Sequence, residues 1–264
     1  MKRGYLSLLG YEHTYYWADF SGNSDAIVAL HGYGNSGRSF RYLVPYLSKH
    51  DISLFAPDLL GFGQSAKPEG GYSLVQYARL TVAFVNEMGL KKPWLMGHSF
   101  GGILALATAT MFPEAFKGVI LVSPGGFHPL TRFQVWADWR WVYKLMHSQL
   151  FKKVLQISPL GAVFDQEATY QTLLKMYGSH QYLDLDKTGI RKQIANLHLP
   201  ILLCWGAEDK ILPHFVWKRA QKQVSQARFV LVPNAGHALT KDQPKELVHH
   251  VSSFIAENSL WNKK

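Results

Sequence analysis

The chain has 264 residues, enough for one domain with a full core and an inserted subdomain, and its 47% hydrophobic and 17% charged content excludes a disordered chain. A single cysteine, Cys204, excludes an internal disulfide framework or a cysteine zinc cluster, and no apolar run is long enough to span a bilayer. The formal charge of +10 would favour acidic partners or anionic surfaces, but no nucleic-acid-binding module accompanies it, and solubility is the simpler reading.

The N-terminal stretch MKRGYLSLLGYEH carries two basic residues and only a short apolar run broken by glycine and tyrosine, so it is not read as a signal peptide and a cytoplasmic location is expected. Tyr5 to Phe20 reads as one or two antiparallel strands, with Ser21 to Asp25 as a turn before the apolar strand Ala26 to Leu30. The loop His31-Gly32-Tyr33-Gly34 follows. Ser39 to Leu47 fits a helix, Leu54 to Ala56 a short buried strand, and DLLGFGQS at Asp58 to Ser65 a turn-rich loop. Tyr72 to Met88 reads as a helix ending at Gly89. The apolar run Trp94 to Met96 then leads into Gly97-His98-Ser99-Phe100-Gly101 and a helical run, Ile103 to Met111.

Gly118 to Val122 is another short apolar strand, closed by Ser123-Pro124-Gly125-Gly126. From Phe127 to about Leu199 the strand pattern lapses into an aromatic, helix-like stretch containing Phe133, Trp136, Trp139, Trp141 and Tyr143. A strand at Ile201 to Trp205, a helix around Phe215 to Val224, a strand at Ala227 to Val232 and a last helix at Pro244 to Glu257 complete the chain. Strands separated by helices predict a mainly parallel sheet covered on both faces, with the helical stretch inserted after the sixth strand as a cap.

The GxSxG segment predicts a sharp strand-to-helix turn that exposes Ser99 in a strained conformation. That turn presses the positions two before and two after the serine together, which explains Gly97 and Gly101. A serine hydroxyl needs a general base, and the base needs a carboxylate to orient it. Asp209 follows the strand at Ile201 within GAEDKILP, and His237 follows the strand at Ala227 within PNAGHALT. Both therefore fall at strand ends, where the loops above a parallel sheet converge.

Other polar residues have plainer readings. His98 is expected to make a packing or structural hydrogen bond, and His31 to stabilise its loop. Asp58 should organise DLLGFGQS through backbone amides. Glu208 neighbours Asp209, and from the residues alone either carboxyl could supply the acid. Ser123 to Gly126 offers no carboxylate as an alternative acid after the sixth strand. His249-His250 lacks a third ligand and reads as surface, so no metal site is expected. Cys204, inside ILLCWG, reads as a buried inert thiol.

HGYG, DLLGFGQS, GHSFGG, GAEDKILP and NAGH, in that order, resemble the α/β-hydrolases, specifically the cap-bearing esterase, lipase and carbon–carbon hydrolase branch. The resemblance implies an eight-stranded, mainly parallel sheet flanked by helices, with core segments 1–126 and 200–264 and a helical cap at 127–199. It implies Ser99 as nucleophile, His237 as general base and then acid, and Asp209 as the residue that orients it. The backbone N–H groups of Tyr33 and Phe100 would form the oxyanion hole, and no cofactor is needed. Phe127, Trp136 and Trp139 are expected to face an apolar substrate pocket. Arg132, Arg140, Lys144, Lys152 and Lys153 could recognise an acidic acyl carrier protein or coenzyme A. The implied activity is cleavage of a carboxylic ester with an apolar acyl or alkyl part. A carbon–carbon hydrolase, a thioesterase or a perhydrolase with the same triad, and a hydrolase-derived small-molecule receptor, are the alternatives.

Overall fold

The computed structural model describes residues 1–20, 25–127, 190–194 and 196–261. Eight strands form one sheet: β1 (Lys2–Leu8), β2 (Tyr11–Ala18), β3 (Ala26–Leu30), β4 (Ser53–Pro57), β5 (Trp94–His98), β6 (Gly118–Val122), β7 (Ile201–Gly206) and β8 (Arg228–Val232). Their spatial order is β1-β2-β4-β3-β5-β6-β7-β8. Only β2 runs against its neighbours; every pairing from β4 to β8 is parallel. Strands β4, β5, β6 and β7 are buried at every residue, as continuous apolar strings covered on two faces must be.

Each face has its own core. On one side α2 (Leu74–Glu87) and α3 (Phe100–Met111) pack Tyr77, Phe84, Leu104 and Leu106 against Val28, Leu95 and Leu121, and Trp217 of α5 (His214–Gln223) joins the same cluster. On the other, α1 (Val44–Leu47) and α7 (Pro244–Trp261) set Leu47, Leu247, Val251 and Phe254 against Ile27, Trp94 and Ile120. Two short helices, α4 (Ile190–Ile194) and α6 (Leu239–Asp242), complete the described set. No helix among the described residues is long and apolar enough to cross a membrane.

Three predicted helices come out differently. In place of one helix over Ser39 to Leu47 there is a 3-10 segment, Gly37–Tyr42, followed by the single turn α1. Pro45, at the start of α1, has no N–H to continue a helical ladder, and the Gly37 amide is already donated to Asp58 Oδ1 at 2.7 Å. The helix predicted from Tyr72 starts at Leu74 because Ser73 caps it, its Oγ accepting from Gln76 N at 3.1 Å, while the Tyr72 hydroxyl donates to Pro68 O. The last helix runs on to Trp261, past the expected end at Glu257.

Candidate active site

Ser99 stands between β5 and α3 with φ 53° and ψ −114°, a conformation that costs an L-residue on the order of 1–3 kcal/mol. Backbone bonds hold it there. Its N–H donates to Val122 O at 3.0 Å, and its carbonyl accepts from Gly102 N and Gly125 N, both at 2.9 Å. A Cβ on Gly97 would lie 2.2 Å from Gly101 O, and one on Gly101 would lie 2.0 Å from Leu30 O. Those atoms are backbone of packed elements and cannot yield, so both glycines are sterically required.

The ends of β7 and β8 bring two further side chains to this turn. Asp209 is buried, and His237 Nδ1 lies 2.8 Å from its Oδ2. The other ring nitrogen, His237 Nε2, is 2.9 Å from Ser99 Oγ. A carboxylate can only accept, so Nδ1 carries the proton and Nε2 is left to accept from the serine hydroxyl. Asp209 Oδ1 is fixed separately, accepting from Ile211 N at 2.9 Å and Leu212 N at 2.8 Å. Glu208 is exposed and takes no part in this chain. At the end of β6, the alternative position for an acid, stands Ser123, buried, at φ 40° and with no hydrogen-bond partner for its Oγ among the described residues.

The HGYG loop packs against the same turn. A Cβ on Gly32 would sit 3.3 Å from Ser99 Cβ and 3.1 Å from His98 Nδ1. The ring of Tyr33 meets Phe62 edge-on at 4.9 Å and Phe100 at 5.7 Å, so the two residues expected to offer oxyanion amides are locked ring to ring. Phe100 is the first residue of α3, where an N–H has no acceptor within the helix.

Two buried neutral histidines brace this arrangement. His31 Nε2 accepts from Leu59 N at 3.0 Å and its Nδ1 donates to Gly32 O at 2.8 Å, which fixes the tautomer. His98 Nε2 donates to the His237 carbonyl at 2.8 Å. The pKa of each is lowered to about 4, chiefly by burial, with the nearby His237 as a second cause for His98. Asp58 binds Gly37 N and Gln64 N through its two carboxylate oxygens, organising the DLLGFGQS loop as expected; burial raises its pKa and these amides pull it back.

Phe127 is fully buried within the core on the α2 and α3 side. Trp136 and Trp139, together with Arg132, Arg140, Lys144, Lys152 and Lys153, lie outside the described residues. Among the described residues no group of three or more His, Cys, Asp or Glu could hold a metal ion, and His250 pairs with Glu246 at 3.2 Å. Cys204 is buried, its thiol pushed up to about 12 by desolvation. One anchor escaped the sequence reading: Asp242 Oδ2 accepts from Gly236 N at 2.9 Å and so pins the turn before His237. His98 makes a structural hydrogen bond, as expected, and the structure supplies its partner, the His237 carbonyl. An acid a few residues beyond a glycine turn is the signal that could have pointed to Asp242.

The sequence model described as "Alpha/beta hydrolase family" matches residues 27–250. The chain belongs to the alpha/beta hydrolase family. Relatives within reach of sequence comparison include the uncharacterized hydrolase YugF of Bacillus subtilis (strain 168), 28% identical over 250 residues and covering 87% of this chain and 89% of that one. Lipase 3 of Moraxella sp. (strain TA144) is 23% identical over 267 residues, covering 94% of this chain and 83% of the lipase. Among solved structures, a thermophilic esterase from Thermogutta terrifontis superposes with a TM-score of 0.75 at 19% identity, over 98% of this chain and 99% of the esterase. This alpha/beta hydrolase thus shares its fold with structures whose sequences have diverged widely.

Proposed function

We propose that this hydrolase cleaves a carboxylic ester with an apolar acyl or alkyl part through an acyl-enzyme on Ser99. The observation that carries the reading is the hydrogen-bonded chain from Asp209 through His237 to Ser99 Oγ, with its proton directions fixed by the carboxylate. Likeness to a protein named as a lipase supports ester chemistry.

In this reading Ser99 Oγ forms a bond to the ester carbonyl carbon while His237 Nε2 takes the hydroxyl proton. The oxyanion accepts hydrogen bonds from the Phe100 and Tyr33 amides, a term worth about 3 kcal/mol per donor in comparable sites. Collapse breaks the bond to the alkoxy oxygen, which leaves with the proton from His237. Water then attacks the acyl carbon, His237 takes its proton, and Ser99 is released when that proton returns to Oγ. Asp209 stays ionised throughout, holding the ring and stabilising the imidazolium. Residues 127–199, between β6 and β7, are assigned as the cap that selects the substrate, with Phe127 at its base.

The test is hydrolysis of p-nitrophenyl esters of increasing acyl length, with intact-mass detection of a fluorophosphonate adduct. The wild type should gain one adduct and turn over fastest at one chain length. Ser99→Ala should lose the adduct and at least ~10⁴-fold in kcat/KM. A Ser99-dependent adduct without ester turnover would overturn the ester assignment, and full activity in Ser99→Ala would overturn the nucleophile.

A further inference from the structure

The first two strands form a hairpin whose tip is difficult to explain by folding alone. Leu8 pairs with Tyr11, leaving Leu9 and Gly10 as a two-residue turn with φ of 50° and 85°. Two positive φ values in such a turn call for Asn-Gly or Asp-Gly. A leucine there is strained, and Leu9 is 58% exposed, so the fold recovers little by burying it. Every other non-glycine residue at positive φ among the described residues is polar: Asp51, Lys92, Ser99, Ser123 and Asn234.

Along β1, Leu6 and Leu8 pack into the core, while Arg3 and Tyr5 take the opposite face. Tyr5 is 61% exposed, and the Arg3 guanidinium lies 5.3 Å from its ring. Further cations border this face. Arg3 donates to Gln64, and Ala66 N donates to Glu12 O at 2.8 Å, which sets the loop carrying Lys67 beside β2. Arg38 is exposed and belongs to the 3-10 segment Gly37–Tyr42, which packs against β2. Glu12 is the exposed acid among these residues, opposite Ser7. The hairpin tip also lies at the catalytic end of the sheet, because β2 is antiparallel to β4 and Asp58 N, just past β4, bonds Thr14 O.

We propose that Leu9, Tyr5 and Arg3, with Arg38 and Lys67 beside them, dock the catalytic end of the molecule on an anionic lipid bilayer. An exposed leucine and an aromatic ring suit the boundary between headgroups and acyl chains, and the cations pair with anionic headgroups. The chain's net charge of +10 complements such a surface. A second copy is a poorer occupant, since Lys2 and Arg3 place charge on the edge strand where another strand would have to pair. The proposal does not depend on the ester reading.

Co-sedimentation with phosphatidylcholine vesicles, with and without phosphatidylglycerol, tests it; a Ser99→Ala background keeps the lipid intact. The protein should pellet with the anionic vesicles, stay in solution with the neutral ones, and come off at high salt. Leu9→Asn and Tyr5→Thr should each weaken partitioning about tenfold, and Arg3→Gln with Arg38→Gln by at least that much. Leu231→Thr, at a residue 45% exposed on the far edge strand β8, should bind like the parent. Leu9→Asn relieves the turn, so its Tm should hold or rise by ~1–3 °C, which separates lost docking from lost folding. Turnover of a soluble ester by the hairpin variants in the wild-type background should match wild type. No binding to anionic vesicles, hairpin variants that bind normally, or a dimer in gel filtration that Leu9→Asn abolishes would each overturn the proposal.

Discussion

Acidification should unfold this protein through two histidines that take no part in the proposed proton transfers. His31 and His98 are buried with pKa lowered to about 4 from an ordinary 6.5, so below pH 6.5 the unfolded chain binds protons that the folded chain refuses. Stability therefore falls as pH drops from 6.5 towards 4. At about pH 5 the two pKa values give a loss of ~2 kcal/mol for each histidine relative to neutral pH, or ~4 kcal/mol together. That is a large part of the ~5–15 kcal/mol that holds a typical domain. Asp58 works in the opposite sense, because a carboxyl with a raised pKa is protonated first in the folded state and offsets part of the loss at the acid end. Urea denaturation of Ser99→Ala at several pH values between 7.5 and 5 measures the slope, to which His31 and His98 should contribute nearly two protons near pH 5.5, with His13, whose pKa burial also lowers, acting in the same direction. His98→Gln keeps a donor for the His237 carbonyl without titrating, and should remove one proton from that slope. A wild-type stability that is flat over this range, or a slope unchanged in His98→Gln, would refute the reasoning.

Asp209→Asn should fold normally, because its Oδ1 contacts to Ile211 and Leu212 survive, yet lose ~10³–10⁴-fold in kcat/KM as the amide favours the wrong His237 tautomer; steady-state ester kinetics would read this. Gly101→Ala places a methyl 2.0 Å from Leu30 O, backbone at the end of a central strand, and should cost at least ~3 kcal/mol or prevent soluble expression. A wild-type urea midpoint for that variant would mean that the elbow is not sterically closed.

What the sequence made legible, and what it hid, follows from the range of the interactions involved. Gly118–Val122 emerges with the expected bounds because a strand buried on both faces is an unbroken apolar string, and that signal is local. The segment around Ser39 misleads because its outcome depends on Asp58, which takes the Gly37 amide from 21 residues away. The site divides in the same way. Ser99, Asp209 and His237 sit in glycine-rich or turn-rich loops after apolar strings, so their convergence could be anticipated from topology. The choice of Asp209 over Glu208 was harder, since neighbouring carboxyls look alike in one dimension. Ile211 and Leu212 amides anchor Asp209, while Glu208 turns to solvent. The structural hydrogen bond of His98 was expected, but its partner was hidden, because that partner is a backbone carbonyl 139 residues away and a carbonyl leaves no trace in residue identity.

That bond gives His98 a role distinct from its neighbour's. Residues 98 and 99 straddle the end of β5 and point apart, and each reaches His237 at a different place: Ser99 Oγ at the ring, His98 Nε2 at the backbone carbonyl. One contact alone would leave the loop after β8 free to pivot about the ring. Two contacts from consecutive residues, the last of β5 and the first of the turn after it, fix both the loop and the direction of Nε2. The Asp242 bond to Gly236 restrains the loop from the other side. Proton transfer needs placement to within about 0.5 Å, and a histidine carried on a surface loop gains that placement only from such supports. A protonated His98 could still donate to the carbonyl, but it would set a buried cation with its ring 5.1 Å from the His237 ring and oppose the imidazolium that the proposed reaction must form. The burial that keeps His98 neutral would therefore serve the proposed catalysis as well as position.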